Sequence, residues 1–245
     1  MIQVNSLHKS FGAVQALRGV SFTAPDGCIT GLLGPNGAGK TTTLRILYTL
    51  LKPDSGTASI DGYDTVSQSL DVQEHIGVLP ESHGLYPRLT ARENIRYYGQ
   101  LRGLSGDQLE QKIAHLIELL EMSDIADRRT DGFSSGQRVK VAIARSLIHD
   151  PSNVLLDEPT NGLDVISTRA MRSFIRRLSE SGKCVLFSSH IMQEVSALCD
   201  NIIILNRGEV VACGSPEELL RATGQSNLEE AFVSAIGSEE GLLRS

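Results

Sequence analysis

The segment 34–41 constrains the fold of this chain more than any other. It has the sequence Gly-Pro-Asn-Gly-Ala-Gly-Lys-Thr and fits the pattern GxxxxGK[ST] without a mismatch. The apolar segment 28–33 precedes it, and residues 41–51 have the pattern of a helix, so the loop joins a strand to a helix. Glycines allow backbone N–H groups to turn inward around a phosphate, and the helix N-terminus adds positive potential. The sequence therefore predicts an α/β fold that holds the phosphates of a nucleotide.

The side chains of this phosphate loop have separate predicted roles. Lys40 is long enough to reach the terminal phosphates, and the Thr41 hydroxyl is a suitable ligand for Mg²⁺. The residues predicted to contact the nucleotide here are Gly34, Pro35, Asn36, Gly37, Ala38, Gly39, Lys40, Thr41 and Thr42.

The alternation of strand-like and helix-like segments predicts a mainly parallel sheet. Strands are predicted at residues 2–7, 20–24, 28–33, 57–60, 76–79, 153–156, 184–188 and 202–206. Helical patterns at 167–179 and 192–199 separate the last three, and strands joined by crossover helices lie parallel with helices on both faces. We expect the early strands to form an antiparallel edge. The turn-like segment 206–209 predicts a hairpin leading into residues 210–211.

Residues 82–150 interrupt this alternation and are predicted to form an inserted, mainly helical subdomain. Apolar side chains recur at helical spacing over 107–122. A second helix is predicted over 88–102, entered at Thr90 with Glu93 three residues later, the pattern of a capping box. The predicted domains are 1–81 and 151–215 for the two parts of a nucleotide-binding core, 82–150 for the helical subdomain, and 216–245 for a tail with two short helices.

A second site-forming pattern lies at the end of a predicted strand. The apolar residues 154–156 are followed by two carboxylates, Asp157 and Glu158. Consecutive side chains of a strand point to opposite sides, so the two can take different roles. We expect Asp157 to join the Mg²⁺ shell and Glu158 to polarise a water molecule.

Composition excludes several classes of protein. The chain has 245 residues, 40% of them hydrophobic, which is enough for a sizeable core and is not typical of a disordered chain. No apolar run reaches the roughly 18 residues needed to cross a bilayer, and the start of the chain lacks the pattern of a signal peptide. The net charge of −6 and the absence of Trp argue against a nucleic-acid partner. The four cysteines form no CxxC pair and are expected to be reduced, small, buried side chains.

Further motifs follow these two in a recognisable order. Residues 133–137, Phe-Ser-Ser-Gly-Gln, are similar to the LSGGQ signature, and residues 161–164, Asn-Gly-Leu-Asp, are similar to a D-loop. His190 follows an apolar strand, and Phe11 is an aromatic residue near the start of the chain. With the two nucleotide motifs, these segments make the chain resemble, over nearly its full length, the ATP-binding subunit of an ABC transporter. That family has a P-loop NTPase fold.

The resemblance implies a role for each matching residue. Glu158 positions and deprotonates the attacking water, His190 stabilises the γ-phosphate, and Phe11 stacks on adenine. In the family, the signature of one subunit covers the ATP held by the phosphate loop of the other. The residues given nucleotide contacts on this ground are Ser134, Ser135, Gly136, Gln137 and, in the D-loop, Asp164.

The resemblance also implies cofactors and partners. ATP and Mg²⁺ are the expected cofactors, and two copies of the subunit form a head-to-tail dimer with two composite sites. A separate multi-span membrane permease provides the transport path and is contacted by residues 82–150. The subunit is therefore expected to be cytoplasmic and peripheral on the inner face of the cell membrane.

The sequence departs from the family pattern at two places. In the signature, Phe133 and Ser135 replace Leu and the first Gly. Ser135 adds a Cβ and a hydroxyl where the backbone approaches the γ-phosphate, so we expect function with altered affinity. After the strand 76–79, Glu81 takes the place of the usual Gln. A carboxylate can coordinate Mg²⁺ but adds a charge, and the alternative is that Glu81 faces solvent or pairs with an arginine such as Arg88.

Within the family, three segments favour a particular substrate. Residues 94–98, 133–137 and 228–232 are most similar to the ATPase subunits of bacterial sodium-export systems, which implies hydrolysis of ATP to drive Na⁺ export. The alternatives are the ATPase of a drug, lipid or polysaccharide exporter, a soluble ABC ATPase acting on ribosomes or DNA, and a nucleotide-binding regulator without turnover. Soluble ABC ATPases usually carry two cassettes or long coiled coils, and this chain has neither. The presence of Glu158 and His190 counts against a regulator.

Overall fold

The computed structural model describes residues 1–82 and 84–237. The strands are β1 (Ile2–Phe11), β2 (Val14–Ala24), β3 (Ile29–Leu33), β4 (Ser55–Ile60), β5 (Tyr63–Asp64), β6 (Ile76–Leu79), β7 (Asn153–Asp157), β8 (Cys184–Ser189), β9 (Asn201–Asn206) and β10 (Glu209–Gly214). The helices are α1 (Lys40–Leu47), α2 (Ser69–His75), α3 (Ala91–Leu101), α4 (Gly106–Leu119), α5 (Ser135–Leu147), α6 (Val165–Glu180), α7 (Met192–Leu198), α8 (Pro216–Thr223) and α9 (Leu228–Ile236). The last part of the predicted tail, 238–245, lies outside the described residues.

The central sheet is mainly parallel, as the alternation of strands and helices predicts. Its strand order is β10-β9-β3-β8-β7-β6, and every neighbouring pair is parallel except β10 with β9. Strands β3, β7 and β8 are buried along their whole length, because helices and the second sheet cover both faces. The hairpin after β9 supplies the antiparallel edge.

The early strands form a sheet of their own rather than an edge of the central sheet. Its order is β2-β1-β4-β5, and all of its pairs are antiparallel. Strand β1 has β2 on one side and β4 on the other, so its backbone groups are already paired and it cannot join the parallel sheet. Its inward side chains, including Ile2 and Val4, pack with Leu44 of α1 and Leu155 of β7 in one apolar cluster.

The region between β6 and β7 is helical, as predicted, and packs on the opposite face of the central sheet through Val154 and Leu156. At the start of α3, the Thr90 hydroxyl accepts a hydrogen bond from the Glu93 amide at 3.1 Å, and the Glu93 carboxylate accepts one from the Thr90 amide at 2.8 Å. The predicted capping box is therefore present. Helix α1 ends at Leu47, earlier than expected, because Thr49 adopts a left-handed backbone with φ 64°.

The composition led to expectations about membrane-spanning segments and about the burial of the cysteines. Among the described residues, no helix combines the length and the apolar character that crossing a bilayer requires. All four cysteines are free thiols, and Cys184 and Cys199 are buried as expected, whereas Cys28 is half-buried and Cys213 is exposed. The prediction of burial is wrong for Cys213 because strand β10 lies at the edge of the sheet. Burial raises the pKa of the Cys184 thiol to about 12.

The strand register brings the sequence motifs together. Leu33 at the end of β3 pairs with Ser189 of β8, and Asp157 at the end of β7 pairs with Ser188. The carboxyl ends of β3, β7 and β8 therefore lie side by side at one edge of the sheet. Ligands of open α/β sheets bind at this edge.

Candidate functional site

Close packing explains why glycine occupies two positions of the phosphate loop. A Cβ on Gly34 would lie 2.3 Å from the backbone oxygen of Leu205, and a Cβ on Gly39 would lie 2.9 Å from the backbone oxygen of Ala16. Gly39 also has φ 108°, which side-chain-bearing residues rarely adopt. The loop can therefore keep this shape only with glycine at both positions.

Lys40 is the first residue of α1 and is 6% exposed. Its ammonium group donates to the backbone oxygens of Gly34 at 2.7 Å and Pro35 at 3.4 Å. It also lies 3.5 Å from one carboxylate oxygen of Glu158. The positive charge is therefore held inside the phosphate loop, beside a carboxylate that follows β7.

Asp157 is a buried carboxylate beside the first turn of α1. Its Oδ1 accepts a hydrogen bond from Ser188 at 2.6 Å and lies 3.5 Å from the Thr41 hydroxyl. Burial raises the pKa of the Asp157 carboxyl above its usual range, although the hydrogen bonds from Ser188 and Thr41 oppose this shift. The negative charges of Glu81 and Glu158 raise it further.

This donor set fits Mg²⁺. A hydroxyl and a carboxylate are the oxygen ligands that Mg²⁺ prefers, and a bound cation would relieve the burial of the Asp157 charge. The described residues hold no preformed cluster of three or more His, Cys, Asp or Glu side chains for a metal. Mg²⁺ commonly uses one or two protein ligands and completes its shell with substrate phosphates and water. Thr41 and Asp157 can provide that partial shell.

Glu158 lies at the centre of the site and adopts an unusual backbone conformation. Its φ is 49°, in the left-handed region that residues with a side chain rarely adopt. Its amide donates to the Ser188 hydroxyl at 2.9 Å. Its carboxylate Oε2 lies 2.9 Å from Nδ1 of His190, and Oε1 faces Lys40. The Glu158 carboxylate is therefore oriented from two sides.

A cavity of about 430 Å³ opens in front of these groups. The residues lining it are Phe11, Val14, Gln15, Ala16, Arg18, residues 35–42, Glu81, Glu158 and Arg207. Phe11 is 51% exposed, so its ring is accessible to a ligand in this cavity. The cavity thus combines an accessible aromatic ring with the phosphate loop, the two features that a nucleotide can use.

The model of the ABC transporter family matches residues 17–161, which is more than half of the chain. The chain belongs to the ATP-binding subunits of ABC transporters. The resemblance to this family that the sequence motifs indicate is therefore confirmed.

Several relatives span most of this ATP-binding subunit. The ATP-binding protein NatA of Bacillus subtilis (strain 168) is 47% identical over 91% of this chain and 91% of its own length. The linearmycin resistance ATP-binding protein LnrL of the same organism is 34% identical over 97% of this chain and 79% of its own length. The Nod factor export ATP-binding protein I of Burkholderia lata is 36% identical over 90% and 73%.

Solved structures of ABC cassettes share the fold. The ATP-binding subunit of an ABC transporter superimposes with a TM-score of 0.88 at 28% identity, covering 97% of this chain and 100% of its own. A dimeric cassette in a post-hydrolysis state, bound to ADP and Pi, superimposes with a TM-score of 0.80 at 28% identity, covering 88% and 98%. This ATP-binding subunit is accordingly an ATPase, and cassettes of its fold form dimers.

The signature segment, residues 133–137, lies away from the nucleotide cavity of its own chain. Ser134 is the N-cap of α5, and its hydroxyl accepts a hydrogen bond from the Gln137 amide at 3.3 Å while the Gln137 side chain accepts one from the Ser134 amide at 3.1 Å. Ser134 and Ser135 are exposed. Gly136 borders a different groove, together with Leu163 and Ser167. The structure therefore does not bring the signature segment and the phosphate loop of one chain together.

Two motif residues have local structural roles in addition. Phe133, which replaces the signature Leu, is buried in the core, and the Arg128 guanidinium lies 5.6 Å from the centre of its ring. Asp164 is the N-cap of α6 and accepts a hydrogen bond from the Ser167 amide at 2.8 Å, which lowers its pKa. Asp164 does not line the nucleotide cavity of its own chain. The substitution at Phe133 is explained by packing.

Sequence reasoning missed several residues that the fold places at the site. Ser188 contacts both Asp157 and Glu158, and Arg18 and Arg207 border the cavity. Arg207 belongs to a segment predicted as a turn, but its position beside the phosphate loop depends on a bond from the Gly208 amide to the Ala38 oxygen at 3.0 Å. No local pattern marks any of the three.

Proposed function

We propose that this ATP-binding subunit powers export through a separate membrane permease and that Na⁺ is the exported ion. The observation that carries the proposal is the 47% identity with NatA over 91% of both chains, compared with 36% for the Nod factor export protein and 34% for LnrL. The similarity of segments 94–98 and 228–232 to sodium-export subunits supports the same choice. Drug, lipid or polysaccharide export is the alternative.

Transport by the reconstituted complex tests the substrate. The subunit and its permease are co-purified, inserted into lipid vesicles, and supplied with ATP and Mg²⁺ on the cassette side. We expect Na⁺ to accumulate in the vesicles with ATP and not in a matched complex carrying Glu158→Gln. Stimulation of ATP hydrolysis by a drug or lipid, without movement of Na⁺, would replace sodium export by the alternative.

The geometry supports specific roles in hydrolysis. Glu158 is the general base: its carboxylate takes a proton from water while the water oxygen bonds to the γ-phosphorus and the bond to the bridging oxygen of ADP breaks. His190, whose Nδ1 lies 2.9 Å from Glu158, orients this carboxylate, and in this proposal it stabilises the γ-phosphate. Lys40 exchanges its contacts with the backbone oxygens of Gly34 and Pro35 for the terminal phosphates. Phe11 stacks on adenine.

Thr41 and Asp157 hold Mg²⁺ in this proposal, and Glu81 acts on the shell through a bridging water. When bound, Mg²⁺ neutralises charge on the phosphates. Glu81 is exposed to solvent, but it lines the nucleotide cavity and its charge acts on Asp157, and these two observations support the metal-shell role.

The signature segment contributes to the site of a second, identical copy. Ser134 and Ser135 are exposed at the N-terminus of α5, so their side chains and this helix end are available to a γ-phosphate from outside the chain. ATP bound between the two copies stabilises the closed head-to-tail dimer, and hydrolysis removes that stabilisation. Sedimentation with and without ATP tests the dimer.

Residues 82–150 contact the permease, which holds the subunit at the inner face of the cell membrane.

A further inference from the structure

Glu194 is a buried carboxylate for which the roles proposed above give no function. It lies in the first turn of α7 and is 3% exposed. Its Oε2 accepts a hydrogen bond from the Thr160 hydroxyl and another, at 3.2 Å, from the Ser189 hydroxyl. Within the described part of the chain, Glu194 forms no ion pair with Lys, Arg or His. Burial of an unpaired carboxylate costs free energy, which its hydrogen bonds to the two hydroxyls offset.

The two hydroxyls belong to the two loops that carry the proposed catalytic groups. Thr160 follows Glu158 by two residues, and Ser189 immediately precedes His190. The side chains of Glu158 and His190 are in turn joined at 2.9 Å. One oxygen of Glu194 therefore closes a ring, which runs from Glu158 along the chain to Thr160, through Glu194 to Ser189 and His190, and back to Glu158.

We propose that Glu194 is a positioning residue that fixes the distance between Glu158 and His190. The inference rests on the proposed function, since it requires these two residues to act together in hydrolysis. Glu194 itself touches neither the nucleotide cavity nor the reacting atoms, and it acts through Thr160 and Ser189.

The backbone conformation of Glu158 explains why a positioning residue is required. Its φ of 49° is unfavourable and persists only when the surroundings hold the segment from both sides. On one side, the Glu158 amide is bonded to Ser188 at 2.9 Å. On the other, Thr160 is tied to Glu194. Loss of the second contact leaves the segment free to relax toward an ordinary backbone, which would turn the carboxylate away from His190.

The contact with Ser189 has the same effect on the histidine. The Ser189 hydroxyl accepts a hydrogen bond from the Ile191 amide at 3.0 Å while it donates to Glu194. Ser189, on one side of His190, is therefore bonded to the Glu194 carboxylate directly, and Ile191, on the other side, is bonded to Ser189. Because His190 is exposed, few other contacts fix its position.

The test is a kinetic comparison of Glu194→Ala, Glu194→Gln and the unchanged subunit, each assayed well below its unfolding temperature. We expect Glu194→Ala to lower kcat about 10- to 100-fold with KM for ATP changed less than about threefold, because charge-assisted hydrogen bonds are lost but the phosphate loop is intact. The amide oxygen of Glu194→Gln still accepts both hydroxyls, more weakly, and should restore part of kcat. NMR of the His190 ring should show a changed chemical shift in Glu194→Ala.

Thr160 provides a second pair of variants that keeps the test valid if Glu194→Ala fails to fold. Thr160→Val removes the hydroxyl and retains the shape, and should lower kcat like Glu194→Ala, while Thr160→Ser should restore it. The double variant Glu194→Ala with Thr160→Val should lose little more than either single change, because both break one connection.

The matched control is Asp61→Ala. Asp61 is a partly buried carboxylate with several hydrogen-bond partners at the opposite edge of the sheet, including Asn153 at 2.8 Å and His75 at 3.0 Å. The Asp61→Ala substitution should lower the unfolding temperature and leave kcat unchanged. A Glu194→Ala subunit with lower stability but normal kcat and an unchanged His190 signal would overturn the proposal and leave Glu194 as a structural residue.

Failure of the proposed function would give different results from failure of the positioning role of Glu194. Full turnover by Glu158→Gln would remove Glu158 as the base whatever Glu194 does. A changed His190 signal in Glu194→Ala would then still establish the connection, and an unchanged signal would reject it.

Discussion

The phosphate-loop half and the signature half of the ATP site are built differently within one chain. On the first side, Lys40, Asp157, Glu158 and His190 are held by contacts of 2.6 to 3.5 Å that link separate strands of the sheet. On the second, the hydrogen bonds that Ser134 forms with the described residues all lie within the first turns of its own helix. The chemical groups are therefore preorganised by the fold, whereas the signature is a rigid helix end without a ligand-binding partner in its own chain.

The difference indicates which half of the site depends on the association of two copies of the subunit. In the proposed dimer, the preorganised half binds nucleotide within a single chain, and the outward-facing helix end meets its ligand in a second molecule. Changes on the first side should therefore alter nucleotide binding or the chemical step. Changes on the second should weaken dimerisation and leave the ATP affinity of the monomer unchanged.

The largest expected effect is on chemistry. Glu158→Gln should lower kcat by about 10²- to 10⁴-fold, because the amide keeps the shape but cannot take the proton from water. ATP binding should persist, and a closed dimer should accumulate in gel filtration with ATP. Glu180→Gln, an exposed change on α6, is the control. Turnover within twofold of the unchanged subunit would assign the base to another residue.

Lys40→Ala should weaken ATP binding by about 100-fold or more, since it removes the positive side chain at the terminal phosphates. Calorimetry with Mg²⁺ measures the affinity of the monomer, and the exposed Lys52→Ala serves as the charge-matched control. If Lys40→Ala bound ATP normally, the phosphate-loop half would not be the nucleotide site.

Ser134→Ala should distinguish the role of the signature half from that of the phosphate-loop half. It removes an N-cap, which costs about 1 kcal/mol of stability, and should weaken ATP-induced dimerisation about tenfold while the ATP affinity of the monomer is unchanged. Ser215→Ala is matched closely, because Ser215 forms the same capping box at the start of α8. Equal loss of dimer in both variants, measured by sedimentation, would mean that helix stability and not the signature hydroxyl is responsible.

Glu81→Gln should have a few-fold effect on the Mg²⁺ requirement. A carboxylate in the nucleotide cavity repels a triphosphate unless Mg²⁺ lies between them, so the amide should lower the Mg²⁺ concentration needed for ATP binding. The chemical step should change little, since Glu158 remains. Titrations of Mg²⁺ at fixed ATP that superimpose for the two proteins would place Glu81 outside the metal shell. The exposed Glu74→Gln is the control.

His149 connects the far end of the signature helix to the core and should give the smallest effect. Its Nε2 bonds to the backbone oxygen of Ile76 at 3.0 Å, and burial lowers its pKa to about 4 from the ordinary 6.5. The folded state therefore binds fewer protons than the unfolded state between these values, so stability is complete above the unfolded pKa and is lost as the pH falls toward 4.

The measurement compares urea unfolding at about pH 7.5 and about pH 5.5. After allowance for the partial exposure of the ring, the unchanged protein should lose about 1 kcal/mol more than His149→Gln over this interval. Equal losses in both proteins would show that His149 is not held neutral in the fold.

The sequence by itself determined the parts of this protein that depend on neighbouring residues. The phosphate loop between β3 and α1, the carboxylates at the end of β7 and the capping box of Thr90 and Glu93 are patterns within a few positions, and each is present in the structure. The parallel sheet followed from the alternation of strands and helices. The Lys40 and Glu158 side chains are brought together because both motifs end strands of that sheet.

Only the tertiary structure decided which distant side chains meet. Ser188 reaches Asp157 because β7 and β8 pair in one register, and a shift of one strand by one residue would place the two side chains on opposite faces of the sheet. The separate antiparallel sheet and the contact of Glu194 with Thr160 have the same origin. Pairing partners and register are set by the packing of the whole core, so no short segment of the sequence contains them.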